Sequence, residues 1–234
     1  MKAFLLAAGE GRRLRPLTET LPKCLVPIRG TPLLALWLQL LERGGITDVL
    51  INLHHAHARV VEFLDGYRTP IAVTTTHEPV LLGSAGTVRA NRDFVRDESR
   101  FLVLYADNLT NVDLRRLIRF HDARDLPLTI GVVPTDRPKE KGTVVVDAQD
   151  RVLEFVEKSP QPRSDLANAG IYVAGQELFE CLPAATPRSD VLDFGYDVLP
   201  RMIPRVSAYR IEEFLMDIGT PDGYALAQER WPGL

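Results

Sequence analysis

Residues 2–18 of the 234-residue chain have the sequence KAFLLAAGEGRRLRPLT. The apolar run from Lys2 to Leu6 has the length of a strand, and Gly9 and Gly11 follow it closely. Glycine lets backbone N–H groups come close to a bound anion. Because the carboxyl ends of parallel strands face the ligand crevice of an α/β sheet, the pattern predicts an anion-binding turn after a buried first strand.

Strand-length apolar runs alternate with segments of helical period through the rest of the first half. This alternation predicts a mostly parallel sheet that is covered by helices on both sides. The predicted strands span residues 2–6, 48–53, 71–75 and 101–105, and the predicted helices span residues 33–41, 56–64 and 114–121.

Shorter strand-like runs, separated by Pro-rich loops, characterise the second half. The sequence contains no internal repeat and no convincing linker. We therefore expect an extension of the same sheet that forms a substrate pocket, within one domain over residues 1–234. The predicted strands of this half span residues 128–133, 143–146, 152–156 and 168–173.

The composition excludes several classes of protein. Hydrophobic residues make up 45% of the chain and charged residues 25%, which is typical of a globular protein. The 28 Lys and Arg against 31 Asp and Glu give a net charge of −3, which offers no general attraction to nucleic acid. Cys24 and Cys181 are too few for a disulfide framework, and no apolar run approaches the ~18 residues of a membrane span. We therefore expect a cytoplasmic protein with neither nucleic acid nor a membrane as a partner.

Cations are concentrated directly after the glycine-rich turn. Arg12, Arg13, Arg15 and Lys23 fall within 12 positions of a chain that is acidic overall. Leu14 stands where a dinucleotide-binding turn needs its third glycine, and the Gly-Lys-Ser/Thr of a P-loop is missing. An ordinary tight turn followed by a solvated basic loop is the open alternative. A nucleoside triphosphate is the anion that needs this many donors.

The turn and its cations resemble the N-terminal signature of the sugar-1-phosphate nucleotidyltransferases, also called nucleotide-sugar pyrophosphorylases. The matching pattern is Gly9-x-Gly11-x-Arg13-Leu14-x-Pro16-Leu17-Thr18, followed by Pro22-Lys23. The chain departs from the signature at Arg12, where the family usually has Thr, and at Cys24, where it usually has Pro. The resemblance implies that Arg13 and Lys23 bind the triphosphate and are catalytic. The other residues that it places in the nucleotide site are Leu6, Ala8, Gly9, Gly11 and Arg12.

Two aspartates match the family's metal-binding pair. Asp107 follows the apolar run of residues 101–106, and Asp217 precedes the turn of residues 218–221. A carboxylate at the end of a buried strand is costly unless it is paired or metal-bound, and Mg²⁺ prefers one or two carboxylates plus phosphate oxygens. A turn or N-cap role for each aspartate is the alternative. The resemblance implies that Asp107 and Asp217 hold Mg²⁺ as the cofactor and that Asp107 is catalytic.

A loop at residues 77–87, HEPVLLGSAGT, resembles the nucleobase loop of mannose- and heptose-1-phosphate guanylyltransferases, with two extra residues. Guanine N1–H and N2–H can both donate to one carboxylate, such as that of Glu78, whereas uracil and thymine offer only N3–H. Uridylyltransferase relatives have similar loops. The resemblance implies nucleotide binding by Glu78, Gly83 and Ser84. An ordinary loop, with Ser84 as the N-cap of a helix, is the alternative.

Residues 155–160, FVEKSP, resemble the family's Glu-Lys-Pro motif, with Ser159 inserted before the proline. The resemblance implies that Lys158 holds the sugar phosphate and that Glu157 accepts hydrogen bonds from sugar hydroxyls. Solvated surface charges are the alternative. Gly170 fits the close approach of a ligand. The predicted substrate-binding residues are Asn108, Glu157, Lys158, Asn168 and Gly170.

Three histidines, His54, His55 and His57, follow the predicted strand at residues 48–53. They suggest a metal site, but neither a carboxylate nor a cysteine stands at ligand spacing beside them. We therefore expect them to mark the start of a helix. Trp37, in an apolar helix, is expected in the core.

The resemblance covers residues 2–224 and implies a three-layer α/β/α, Rossmann-like domain with a mixed, mainly parallel sheet. Residues 1–125 would form the nucleotide-binding half and residues 126–234 the sugar-phosphate-binding half. Because the chain ends soon after the last motif, we do not expect the β-helix or acetyltransferase domains of longer relatives. Whether the protein forms a homodimer is left open.

The implied reaction transfers a nucleotidyl group, with GMP favoured, from a nucleoside triphosphate to a sugar 1-phosphate and releases pyrophosphate. Because a phosphate is already ionised at neutral pH, catalysis needs positioning and electrostatics and no side-chain nucleophile. A uridylyl- or thymidylyltransferase, or an enzyme for a cyclitol phosphate, is the alternative with the same chemistry. The alternative of another class is a non-catalytic nucleotide-sugar sensor, which need not retain Gly11, Arg13, Lys23, Asp107 and Asp217.

Overall fold

Strands and helices alternate along the chain, of which the computed structural model describes residues 1–183 and 191–234. The strands are β1 (Lys2–Leu6), β2 (Pro27–Ile28), β3 (Thr31–Pro32), β4 (Asp48–Leu53), β5 (Ala72–His77), β6 (Arg100–Tyr105), β7 (Asn108–Thr110), β8 (Leu128–Pro134), β9 (Gly142–Val146), β10 (Val152–Glu157), β11 (Leu166–Gly175), β12 (Val206–Arg210) and β13 (Leu215–Asp217). The helices are α1 (Leu33–Gly44), α2 (His57–Gly66), α3 (Ser84–Ala90), α4 (Leu114–Asp122), α5 (Leu178–Cys181), α6 (Leu199–Met202) and α7 (Pro221–Arg230). None of the described helices is both long enough and apolar enough to cross a membrane.

The elements of the first half agree with the sequence predictions. β1 and β4 have the predicted bounds, and α1 extends three residues beyond the predicted end at residue 41. Gly45, with a φ of 79°, ends α1, and its N–H bonds to carbonyls of the last turn. This is the left-handed position where helices commonly take glycine. The predicted α/β class with a mixed, mainly parallel sheet is confirmed.

Residue contacts divide the chain into two compact units, and the first consists of Met1–Leu81, Leu104–Leu114 and Glu213–Leu234. Within this unit, β1 pairs with β4 and β4 pairs with β5, both in parallel. α1 buries eight of its twelve residues, since its apolar side chains extend round most of the helix. Trp37 is 2% exposed, as expected for a core residue.

The second unit consists of Leu82–Val103 and Arg115–Glu212. Its strand pairs are mixed, because β8–β11, β9–β11 and β9–β10 are antiparallel whereas β8–β12 is parallel. Tyr172 and Phe194 are fully buried and stack with ring centroids 4.9 Å apart. The two units are discontinuous in sequence, so their bounds differ from the predicted halves. Those halves, and a single domain over residues 1–234, stay predictions.

The two cysteines are both free. Cys24 is buried, and burial raises the pKa of its thiol to about 12. A thiol with so high a pKa stays protonated at neutral pH and is therefore a poor nucleophile. Cys24 accordingly acts as a small apolar residue beside Lys23.

A buried hydrogen-bond chain joins α4 to two strands of the second unit. His121 Nδ1 lies 2.8 Å from Thr129 Oγ1 on β8, which lies 2.8 Å from Ser207 Oγ on β12. His121 is 7% exposed, and burial lowers the pKa of its imidazole below the usual 6.5. The folded state therefore favours the neutral ring.

We predict that His121 makes the fold less stable as the pH falls. A base with a depressed folded-state pKa stabilises the fold above its unfolded pKa, and this contribution is lost as the pH falls through the folded pKa. The free energy of unfolding, measured by urea titration from about pH 7.5 to about pH 5.5, should fall more steeply in the wild type than in His121→Gln. His57→Gln, which changes an exposed histidine, is the control and should keep the wild-type slope. The prediction is contradicted if the free energy of unfolding changes with pH equally steeply in the wild type and in His121→Gln.

Candidate functional site

The glycine-rich turn after β1 depends on Gly11, whose φ of 63° lies in the left-handed region. A Cβ at Gly11 would lie 2.9 Å from Thr18 Cγ2 and 3.3 Å from Lys23 Cβ, so a larger residue would be both strained and crowded. The Thr18 hydroxyl is buried and donates to the Gly11 carbonyl over 2.7 Å. The glycine and the threonine of the signature therefore support each other.

Three further predicted nucleotide-binding residues lie at the start of the turn. The Leu6 carbonyl accepts a hydrogen bond from Ala106 N over 3.0 Å, which holds the end of β1 beside the residue before Asp107. Ala8 is 7% exposed. A Cβ at Gly9 would meet no atom within 4 Å, so the space beside this residue is open to a ligand.

Two of the predicted catalytic cations lie against the two aspartates. Lys23, with a side chain 7% exposed, places Nζ 3.0 Å from Asp107 Oδ2 and 3.6 Å from Asp217 Oδ1. Arg13 is 67% exposed, and its Nη2 lies 3.8 Å from Asp217 Oδ2. The structure thus brings together four predicted residues that are separated by as many as two hundred positions in the sequence.

Arg12, a departure from the family signature, pairs with Glu10 in the same loop. Its Nη2 lies 3.1 Å from Glu10 Oε1, and its Nε also donates to this carboxylate. The hydrogen bond lowers the pKa of Glu10 and raises that of Arg12. The Arg12 side chain is 76% exposed, and exposed ion pairs contribute little to stability. The predicted role of Arg12 in nucleotide binding stays a prediction.

A short antiparallel pair, β7–β13, brings the two aspartates to the same place. Its register sets Asp217 opposite Asn108, the residue after Asp107. Trp37 Nε1 donates to the Asn108 carbonyl over 2.9 Å, so α1 anchors this pair. Asn108, predicted to bind substrate, is 8% exposed, and its role in binding stays a prediction.

The donor set formed by Asp107 and Asp217 fits Mg²⁺. Both carboxylates converge on a single cationic centre, the ammonium group of Lys23. Two carboxylates, with the remaining ligands from phosphate and water, are what this ion prefers. Among residues 1–183 and 191–234, no group of three or more His, Cys, Asp or Glu is placed to hold a metal ion. The binding of Mg²⁺ by Asp107 and Asp217 stays a prediction.

Glu78, the predicted base-reading residue, is 3% exposed and follows β5. Asn52 Nδ2 donates to Glu78 Oε1 over 3.0 Å, and His54 Nδ1 lies 2.7 Å from the Glu78 carbonyl. Since a carbonyl oxygen only accepts, His54 Nδ1 is the donor. Both contacts come from the end of β4, which holds Glu78 firmly.

The other predicted base-loop residues lie at the start of α3. Gly83, with a φ of 76°, is the N-cap residue, whereas Ser84 is the first residue of the helix. The alternative in which Ser84 is the N-cap is wrong, because its hydroxyl donates to Asp193 Oδ2 over 2.9 Å. The Leu192 carbonyl oxygen lies 2.4 Å from the place where a Gly83 Cβ would stand. It accepts hydrogen bonds from Ala85 N and Gly86 N of α3. Nucleotide binding by Gly83 and Ser84 stays a prediction.

Lys158, the predicted sugar-phosphate ligand, has a φ of 49°. Its N–H bonds to the Lys141 carbonyl over 3.1 Å, which holds the residue in this conformation. A long side chain in the left-handed region is uncommon, and such strain is frequent at functional sites. The role of Lys158 in holding the sugar phosphate stays a prediction.

The other predicted sugar-binding residues make contacts within the second unit. Burial, and then the charge of Asp193, raises the pKa of Glu157. Asn168 Nδ2 donates to the Tyr172 hydroxyl over 2.6 Å, and Asn168 Oδ1 accepts from Gly170 N over 2.9 Å. Gly170 has a φ of 65°, which favours glycine there. Substrate binding by these residues stays a prediction.

The three histidines have structural contacts. α2 begins at His57, as expected for a helix start, and the His57 ring lies 4.0 Å from the His77 ring. His55 Nε2 lies 3.2 Å from the Thr18 carbonyl. His54 and His55 thus contact residues of the candidate nucleotide site, Glu78 and Thr18 respectively.

Sequence reasoning missed Asn52 and Asp193. Asn52 had one available signal, since it is the polar residue inside the otherwise apolar end of β4, and a buried amide requires partners. Asp193 accepts from Gly195 N and Tyr196 N at the start of a π-helical turn, Phe194–Val198. The pattern around Asp193 offers no comparable signal, because its partners depend on the fold.

Comparison with known proteins identifies one family. A family model described as Nucleotidyl transferase matches residues 2–231. The mannose-1-phosphate guanyltransferase of Schizosaccharomyces pombe is 32% identical over 233 residues, which cover 96% of this chain and 62% of the yeast protein. The UTP–glucose-1-phosphate uridylyltransferase of Synechocystis is 30% identical over 218 residues, which cover 87% of this chain and 55% of that protein. The chain thus spans less than two thirds of the length of these relatives.

A solved structure has the same fold. It is that of HddC from Yersinia pseudotuberculosis complexed with GMP-PN, which is 25% identical to this chain. The match has a TM-score of 0.80 and covers 98% of this chain and 99% of HddC.

A substitution at Gly219 should separate the charges of the site. Gly219 N donates to Asp217 Oδ1 over 2.8 Å, and a Cβ at Gly219 would lie 2.8–2.9 Å from Arg13 Nη2, Asp217 Oδ1 and Lys23 Nζ. These atoms end flexible side chains, so Gly219→Ala should fold and displace them. We expect its affinity for inorganic tripolyphosphate, measured by calorimetric titration, to fall about tenfold, which corresponds to about 1.4 kcal/mol.

Gly66→Ala is the matched control, since a Cβ there would meet no atom within 4 Å. It should bind tripolyphosphate as the wild type does. If Gly219→Ala also keeps the wild-type affinity, Lys23 and Arg13 do not form the phosphate site.

Proposed function

The chain belongs to the nucleotidyl transferase family, and we propose that it transfers a nucleotidyl group from a nucleoside triphosphate to a sugar 1-phosphate. The observation that supports this function best is the convergence of Asp107 and Asp217 on Lys23. A charge-rich centre of this kind suits phosphoryl-type transfer, because such reactions depend on positioning and on the neutralisation of phosphate charge. It lies beside a glycine-rich turn that leaves room for a ligand at Gly9.

Arg13 and Lys23 hold the triphosphate in this proposal. Arg13 is mostly exposed, so its guanidinium can form paired hydrogen bonds with phosphate oxygens. Lys23 is nearly buried, and its ammonium group acts as a fixed point charge at the base of the site. Backbone N–H groups of the turn at Gly9 and Gly11 add neutral donors.

Asp107 and Asp217 hold Mg²⁺. When bound, the ion supplies charge neutralisation at the phosphate oxygens. The two side chains are oriented for this role by the β7–β13 pair and by the hydrogen bond from Gly219 N to Asp217. Neither aspartate needs to act as a base.

The acceptor is a sugar 1-phosphate, which Lys158 and Glu157 bind. An oxygen of the sugar phosphate forms a bond to the α-phosphorus as the bond to the β-phosphate oxygen breaks, and pyrophosphate leaves with that electron pair. No proton has to be removed from the attacking oxygen, because it is already ionised. Lys158 balances the charge of the acceptor and positions its phosphate.

GTP is the favoured nucleotide in this proposal. The buried carboxylate of Glu78 suits the two adjacent donors of guanine, and a charge-assisted pair is stronger than neutral hydrogen bonds. The fungal guanyltransferase and the GMP-PN complex of HddC agree with this choice. The Synechocystis uridylyltransferase favours a second candidate, in which UTP is the donor and the same residues bind phosphate and metal.

The metal assignment predicts that Asp107→Asn and Asp217→Asn abolish turnover without unfolding the protein. Each change removes one charge from the metal site and preserves the shape of the side chain. A metal ion contributes several kcal/mol of charge stabilisation, so kcat should fall about 100-fold or more. Pyrophosphate release, measured at a range of magnesium concentrations, reports the loss.

Asp65→Asn, on the exposed surface of α2, is the control for this charge change and should retain full activity. Thermal unfolding should show that all three variants are folded. Magnesium-dependent activity at the wild-type level in either site variant would overturn the assignment.

The base assignment predicts that GTP is a better substrate than ATP, CTP, UTP or dTTP. Adenine has no donor at N1 and would leave the buried carboxylate without a partner from the base, which is costly. Because a charged acceptor contributes about 1.5–3 kcal/mol per hydrogen bond, Glu78→Gln should reduce the preference for GTP about tenfold. The measurement is kcat/KM for the five nucleotides in both proteins.

Glu62→Gln, which changes an exposed carboxylate on α2, should leave the ranking of the five nucleotides unchanged. If UTP or dTTP is the better substrate of the wild type, Glu78 does not select guanine and the second candidate stands. If no nucleotide is turned over but nucleotide sugars bind, the protein is a sensor.

A further inference from the structure

Three consecutive residues at the end of β4 hold Glu78. The Glu78 N–H donates to the Leu53 carbonyl over 2.8 Å. Asn52 Nδ2 donates to the side chain, and His54 Nδ1 donates to the backbone carbonyl. The end of β4 therefore positions both the backbone and the carboxylate of Glu78. Of these three contacts, only the one from Asn52 reaches the carboxylate.

Asn52 also contacts the start of the glycine-rich turn. Its Oδ1 accepts from Ala7 N over 2.8 Å, and Ala7 lies between the end of β1 and Gly9. An amide oxygen only accepts and an amide nitrogen only donates, so these two partners determine the orientation of the Asn52 side chain. A single planar group thus joins the turn to Glu78.

Burial makes this connection stiff. Asn52 is 4% exposed and Glu78 is 3% exposed. Water cannot readily replace the hydrogen bond from Asn52 Nδ2 to Glu78 at such depth, and a buried carboxylate that loses a donor is destabilised. A change in the position of Ala7 is therefore transmitted to the carboxylate of Glu78 through a rigid side chain.

We propose that Asn52 is a positioning residue that sets the base-reading carboxylate of Glu78 at a fixed distance from the triphosphate turn. This rests on the proposed function, in which the turn binds phosphate and Glu78 binds the base. A nucleotide can then contact the turn with its phosphates and Glu78 with its base at the same time. It gains affinity because the turn and Glu78 are already held in position. In this proposal Asn52 acts on the nucleotide through Glu78.

Asn52→Asp tests the contact with Glu78 selectively. The new carboxylate still accepts from Ala7 N, but it has no donor for Glu78 and places a second negative charge beside it. We expect the preference for GTP over UTP to fall about tenfold, as in Glu78→Gln, since a hydrogen bond to a charged group is lost. The KM for the sugar 1-phosphate and the affinity for tripolyphosphate should stay within about twofold of the wild type.

The double variant Asn52→Asp/Glu78→Gln reverses the polarity of the pair. The glutamine amide now donates to the aspartate, and the aspartate still accepts from Ala7 N. We expect the double variant to regain the thermal stability that Asn52→Asp loses and to bind every nucleotide more tightly than Asn52→Asp does. If Asn52→Asp fails to fold, the double variant takes its place in the test. Its affinity for tripolyphosphate should then equal that of the wild type.

The measurements are dissociation constants for the five nucleotides and tripolyphosphate, together with KM for both substrates. A merely structural role would lower stability and weaken all nucleotides equally, so an unchanged GTP/UTP ratio in Asn52→Asp overturns the proposal. A double variant with weaker tripolyphosphate binding than the wild type overturns it as well. If the wild type binds no nucleotide, the proposed function is refuted instead. Thermal unfolding of the wild type, the two single variants and the double variant then still measures the coupling between residues 52 and 78.

Discussion

The ammonium group of Lys23 is nearly buried between the carboxylates of Asp107 and Asp217, and the first unit depends on keeping these three charges together. A buried charge is costly unless it is paired. The pairing therefore requires the turn after β1, the end of β6 and the end of β13 to meet at one point. It also explains why Gly219 approaches so closely that a Cβ would touch two of the three groups.

Hydrogen bonds from buried side chains hold the same region in position. The indole of Trp37 anchors the carbonyl of Asn108, and the hydroxyl of Thr18 anchors that of Gly11. Asn52 joins the turn to Glu78 through both ends of its amide. The Trp37, Thr18 and Asn52 side chains are buried, so water competes poorly for the hydrogen bonds that they donate. The charged groups therefore lie on a backbone that is already ordered.

The second unit presents a separate set of polar groups. Lys158 is held in the left-handed region, and burial beside Asp193 raises the pKa of Glu157. The same aspartate accepts from the Ser84 hydroxyl and from two backbone amides. This network orders the polar groups around Asp193.

The sequence by itself determined the local features of this protein. Strand length and apolar period predicted β1 and β4 with their bounds, and the spacing of Arg13 and Lys23 after the glycines indicated a phosphate site. The three-residue strand β13 is too short to show a period, so its pairing with β7 was not predictable. The tertiary structure alone decided that Asp217 lies opposite Asn108, that Asn52 holds Glu78 and that Ser84 bonds to Asp193 instead of capping α3. The physical reason is that a buried polar group needs a partner, and which partner it finds depends on which distant segments become neighbours.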